Sequence, residues 1–157
     1  MYPILVAENE ETDRCLLRFA VKRAQLPMEL FFVGDGREAV RYLEASGIYA
    51  DPVRFPVPAL ILVDLNLPWM SGFEILKWMH AGQVHALTPR VVLTSSSRDS
   101  DRAEAMRLGA DSYEIKPMTP TELLALVKGL YGRWLAPRPE RESGPRHLAR
   151  SHYAKAC

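Results

Sequence analysis

Short, mostly apolar runs recur along this chain, each followed by a segment with helical spacing. Ile4-Leu5-Val6, Leu30-Phe31-Phe32-Val33, Leu60-Ile61-Leu62-Val63, Val91-Val92-Leu93 and Ser112-Tyr113-Glu114-Ile115 are the five runs. Four lack the in-out alternation of a strand with one wet face, so they read as strands covered on both sides. Between them the spacing predicts helices over residues 11–24, 37–44, 100–108 and from Ser71 and Thr119 or Thr121 onward. In the first, Leu16, Phe19 and Ala20 mark the expected inner face and Cys15 a core or boundary position. Asp35 and Ser71 are placed to cap, and Gly109 to stop, the helices next to them. Residues 48–58 hold three prolines and read as a loop. Strand-helix alternation of this kind predicts an α/β fold, a five-stranded parallel sheet doubly wound with helices on both faces.

The remaining composition narrows the class. Of 157 residues, 48% are apolar and 25% charged, as in globular chains, and no apolar run reaches the roughly 18 residues of a membrane span. No basic segment precedes the first apolar run, so a signal peptide is not expected, and the cytoplasm is the expected compartment. Cys15 and Cys157 are too far apart in sequence to suggest a disulfide framework or a zinc site. After Trp134 the apolar period ends. Residues 136–157 hold five basic residues against two acids, a charge of +3 that leaves −2 on the rest. We read 1–135 as one domain and 136–157 as a basic, disordered tail without the aromatic interleaving of a nucleic-acid binder. Neither nucleic acid nor membrane is an expected partner.

In open parallel sheets, sites form beyond the C-terminal ends of the strands. The residues there are Glu8, Asp64, Thr94 and Lys116. Together they suit phosphoryl transfer. A carboxylate can attack phosphorus and form an acyl phosphate. Its own charge and that of the phosphoryl oxygens repel, which calls for a divalent cation such as Mg2+, held by Glu8, Asp64 and the backbone carbonyl of Asn66. Lys116 would set a compact positive charge beside the transferred group, and Thr94 a hydroxyl.

Pro58 to Glu74 around Asp64, Pro89 to Ser95 around Thr94, and Gly109 to Pro117 around Lys116 together resemble the receiver domains of two-component response regulators. The resemblance covers nearly all of residues 3–135, and the loop at 48–58 is similar to single-domain regulators paired with phytochrome-type histidine kinases. It implies a flavodoxin-like fold. It implies Asp64 as phosphoacceptor, Thr94 and Tyr113 as switch residues, Lys116 as partner of the phosphoryl charge, Pro117 after a cis bond, and Asn66 and Ser96 as residues that tune phosphoryl loss. The expected donor is a sensor histidine kinase, of the phytochrome type, or a phosphotransfer protein. A homodimer through the fourth helix, fifth strand and fifth helix is also implied, and no turnover enzyme.

One departure stands out. The family ends its first strand with two adjacent acids, and the pair is read here as Ala7-Glu8, with Ala7 unable to hold a metal-bound water. That lowers the expected Mg2+ affinity and raises an alternative, a phosphate-independent binding module. An aspartate-nucleophile phosphatase wants a second Asp two residues after the first, where this chain has Asn66. A nucleotide enzyme wants a glycine-rich loop after the first strand, where Glu8-Asn9-Glu10 stands.

Overall fold

The computed structural model describes residues 1–137. The strands are β1 (Tyr2–Ala7), β2 (Met28–Val33), β3 (Leu60–Val63), β4 (Arg90–Thr94) and β5 (Ser112–Ile115). The helices are α1 (Glu11–Ala24), α2 (Gly36–Leu43), α3 (Gly72–Gly82), α4 (Asp99–Arg107) and α5 (Pro120–Leu130), the last running on into a π turn at Tyr131–Leu135. All strand pairs are parallel, in the order β2-β1-β3-β4-β5. The expected doubly wound α/β sheet is therefore present.

Alternate strand residues supply the two faces. Ile4, Val6, Leu60, Leu62, Val91 and Leu93 pack on α1 and α5 through Leu17, Val21, Val127 and Leu130. Leu5, Ala7, Ile61 and Val63 pack on α2 and α3 through Ala39, Leu43, Ile75 and Met79. Val92 and Tyr113 extend that second layer toward α4, against Leu76 and Ala105. The chain crosses from one side of β1 to the other between β2 and β3, so the topological switch point lies between β1 and β3.

Helix starts follow side-chain chemistry. Asp35 accepts from the Glu38 amide, Thr119 from the Glu122 amide, and Ser71 forms a reciprocal capping box with Glu74. Gly109 follows α4 at φ +98°, a left-handed value that suits glycine. The proline-rich loop is pinned by Tyr42, Tyr49 and Phe55, whose rings lie 4.9–6.0 Å apart, and by a 2.9 Å bond from the Tyr42 hydroxyl to the Pro56 carbonyl. It also contains a 3-10 turn at Gly47–Ala50.

Three expectations are corrected. The inner face of α1 is Leu17, Ala20 and Val21, while Leu16 and Phe19 are exposed, Phe19 by 58%. Apolar residues ring this stretch, so spacing alone could not fix which side meets the sheet. Cys15 is exposed for the same reason. The Lys116–Pro117 bond is trans, as every peptide bond is among the described residues. The trans form is the lower-energy isomer before proline by about 0.5–1 kcal/mol, and in it the Lys116 amide still donates to the Thr94 carbonyl at 2.8 Å. The expected tail lies, from residue 138 on, outside the described residues.

Candidate functional site

β1 and β3 run in register, with Ala7 opposite Val63. Glu8 and Asp64 therefore leave neighbouring strands side by side at the switch point, and the Asp64 amide donates to the Ala7 carbonyl at 3.0 Å. Both acids are buried, 5% and 6% exposed. Buried carboxylates need partners. Asp64 Oδ1 accepts from the Asn66 amide at 3.1 Å, and Asp64 Oδ2 from Lys116 Nζ at 2.6 Å. Glu8 Oε1 accepts from the Glu10 amide at 2.8 Å, and Glu8 Oε2 pairs with Lys116 Nζ.

Lys116 has a third anionic partner that sequence reasoning missed. Asp13, in the first turn of α1, takes a bond from Lys116 Nζ at 2.8 Å. Periodicity marks Asp13 only as an acid near a helix N-terminus, a common and favourable placement. Nothing local announces a partner 103 residues away. Glu10 and Glu11 are exposed, and Glu11 pairs with Arg14 and Arg18.

The charges follow from this packing. Burial pushes the Glu8 carboxyl above its ordinary value, and the hydrogen bonds from Lys116 and the Glu10 amide only partly offset it. For Lys116 burial works against the charged form, but hydrogen bonds to Asp13, Asp64 and Glu8 outweigh it and the ammonium is held more firmly than usual. A cavity of about 40 Å3, enough to admit water-sized groups, opens beside these side chains and is bounded by Glu8, Asp13, Asp64, Lys116 and Pro117.

The other predicted positions fall nearby, with differing contacts. Thr94 ends β4 fully buried, and its hydroxyl accepts from the Ser96 amide at 3.4 Å. It is tied to Lys116 through the backbone, and no side-chain bond joins it to Asp64 or Lys116 among the described residues. Ser96 donates its hydroxyl to Asp101 at 2.6 Å. Asn66 is exposed on the loop after β3. Tyr113 is 5% exposed, with its hydroxyl donating to the Ser96 carbonyl and its ring under the Arg102 guanidinium, 4.7 Å from the centroid. The ring of this expected switch residue already lies inward.

The reading of the strand-end pair as Ala7-Glu8 is corrected by the register. Ala7 is the last residue of β1 and its side chain lies in the apolar layer with Leu5, Val33 and Val63. The two positions beyond the strand are Glu8 and Asn9. Asn9 is exposed and donates to the Glu10 carboxylate at 3.2 Å.

A buried strand-end aspartate, an acid beside it and a lysine reaching it from just past β5 form one acidic pocket at the switch point of a doubly wound sheet. Residues 4–128 match the family described as the response regulator receiver domain, and the chain belongs to that family. It is similar to the response regulator Rcp1 of Synechocystis sp., 32% identical over 132 residues that span 84% of this chain and 88% of Rcp1. Among solved structures it is similar to the phosphorylated cyanobacterial phytochrome response regulator RcpA, with a TM-score of 0.78 and 32% identity over 86% of this chain and 94% of that one. The Mn2+-bound form of Rcp1 gives a TM-score of 0.75 and 31% identity over 86% and 95%. The chain is thus a signalling module of two-component systems. Among the described residues no helix is long and apolar enough to cross a membrane.

Proposed function

We propose that this receiver takes a phosphoryl group on Asp64 from a sensor histidine kinase or a phosphotransfer protein, and signals through the protein contacts that follow. The observation that carries the reading is Asp64 itself. It stands at the switch point, almost wholly buried, with one oxygen on Lys116 and the other on the Asn66 amide. An Asp64 oxygen attacks phosphorus, and the bond from phosphorus to the donor's nitrogen breaks. Lys116 follows the charge onto the phosphoryl oxygens without leaving the pocket. The Thr94 hydroxyl, on the neighbouring strand end, is the donor expected to turn to the same oxygens. Asn66, whose amide donates to Asp64, and Ser96, on the loop after β4, are the residues expected to tune hydrolysis.

The donor set suits Mg2+. Glu8 and Asp64 offer hard carboxylate oxygens from adjacent strand ends, and the pocket's acids outnumber its one ammonium. The Asn66 backbone carbonyl is the third ligand in this reading. When bound, the cation neutralises charge between the acceptor and the incoming group. The alternative of a phosphate-independent module loses Ala7 as its ground, because Ala7 lies in the core; the one change left in the acid pair is Asn9 at its second position.

The likeness to phytochrome-associated regulators favours a kinase of that type and a cytoplasmic setting. A homodimer through α4, β5 and α5 is consistent with exposed Met106 and Ile115 on α4 and β5. Incubation with Mg2+ and a small phosphodonor, followed by intact mass, tests the reading. Wild type gains one phosphoryl mass and Asp64→Asn does not; no gain in wild type overturns it.

A further inference from the structure

Lys116 holds three carboxylates at once, from Glu8 just past β1, Asp13 on α1 and Asp64 just past β3. An ammonium has three N–H donors, so these contacts saturate it. The arrangement leaves two negative charges uncompensated, the charge that one divalent cation neutralises. With Asn9 uncharged at the second strand-end position, Asp13 supplies the third acid. Without Asp13 the excess would fall to one. Among the described residues no three acid, histidine or cysteine side chains are arranged to grip an ion by themselves. Asp13 meets the pocket through Lys116 Nζ at 2.8 Å, and so bears on a cation through that ammonium.

We propose that Asp13 is a positioning residue of this pocket, which retains Lys116 while Glu8 and Asp64 turn toward a divalent cation and so sets how tightly that cation is held. In the absence of a cation Lys116 competes for the same carboxylate oxygens. Asp13 gives the ammonium somewhere to stay when the other two acids are withdrawn from it. Removing that charge has two effects of one sign. The pocket becomes less negative, and Lys116 bears down harder on Glu8 and Asp64. The inference rests on the cation site proposed above, and concerns which residue governs its strength.

The test is calorimetric titration of the full chain with Mg2+. Asp13→Asn is expected to weaken binding by about 10-fold or more, the size of effect seen for partners behind metal ligands. Asp13→Glu should recover much of the loss, because it restores the charge. Glu11→Gln, which removes another first-turn acid of α1 from a side chain that does not touch Lys116, should leave affinity unchanged. Asp13→Asn that binds Mg2+ as wild type does overturns the proposal, as does an equal loss in Glu11→Gln, which would make the effect one of helix charge. Wild type that binds no Mg2+ overturns it too. The acceptor reading is judged apart, by mass: wild type that takes up phosphoryl while Asp13→Asn keeps full Mg2+ affinity leaves Asp64 in its role and removes Asp13 from its own.

Discussion

The hydroxyl of Tyr113 donates a 2.9 Å hydrogen bond to the carbonyl of Ser96, joining β5 to the loop that follows β4. Arg102 of α4 covers the same ring and donates to the Tyr113 carbonyl at 3.2 Å. Tyr113→Phe keeps the packing and drops the bond. It is expected to cost about 1 kcal/mol of stability, read from urea melts. Because the ring already fills its buried place, a structure carrying a phosphoryl mimic should show the same Tyr113 rotamer; an outward ring would refute this.

Glu8 gives a pH dependence with a definite sign. Its carboxyl is raised in the fold above 4.5 because burial disfavours the charged form. The folded state therefore binds the Glu8 proton more tightly than the unfolded chain does. This contribution to stability is complete below pH 4.5 and is lost as pH rises through the folded-state value. Glu8→Gln keeps a neutral side chain at every pH. The gap between wild type and Glu8→Gln should move in favour of the variant from pH 4.5 upward, as read by denaturant melts across that range. A pH-independent gap would contradict the sign.

Gly72 lies against the backbone of the acceptor loop. A Cβ there would stand 2.2 Å from the Asp64 carbonyl oxygen and 2.8 Å from the Leu65 Cα. No side-chain rotation relieves a clash with main chain. Gly72→Ala should cost about 1–3 kcal/mol, seen as a lower melting temperature, and should slow phosphoryl uptake because Asp64 is pushed from its place.

Ser71 starts α3 by accepting from the Glu74 amide at 3.3 Å, while Glu74 accepts from the Ser71 amide at 2.7 Å. Ser71→Ala removes one half of this box and is expected to cost about 1 kcal/mol. Ser71→Gly should cost only a few tenths. Melts of the two variants against wild type check the order.

Much of this architecture can be read from the chain before any coordinates. The apolar runs are long enough to mark the strands, and the caps at Asp35, Ser71 and Thr119 are local chemistry with local causes. Glu8, Asp64 and Lys116 were legible because a strand end fixes where a residue stands. The errors lie where a global choice decides. Leu16 and Phe19 share helical spacing with the true inner face of α1, and only the direction from which the sheet is met separates the two. The apolar run alone does not show that Ala7 belongs to β1, because the end of that strand is set by its pairing with Val63. Asp13 is invisible to such reasoning because its partner lies just past the last strand, 103 residues away.

The bond between Asp13 and Lys116 spans nearly the whole domain in sequence. A chain emerging from the ribosome exposes Asp13, Glu8 and Asp64 long before it has made residue 116. Until then the acids face one another without a counter-charge. The central strands pay an electrostatic penalty for early assembly, and the arrival of β5 removes it. Completion of the pocket is therefore a late event in synthesis, and a fragment ending before residue 116 should be less stable than its apolar packing alone suggests.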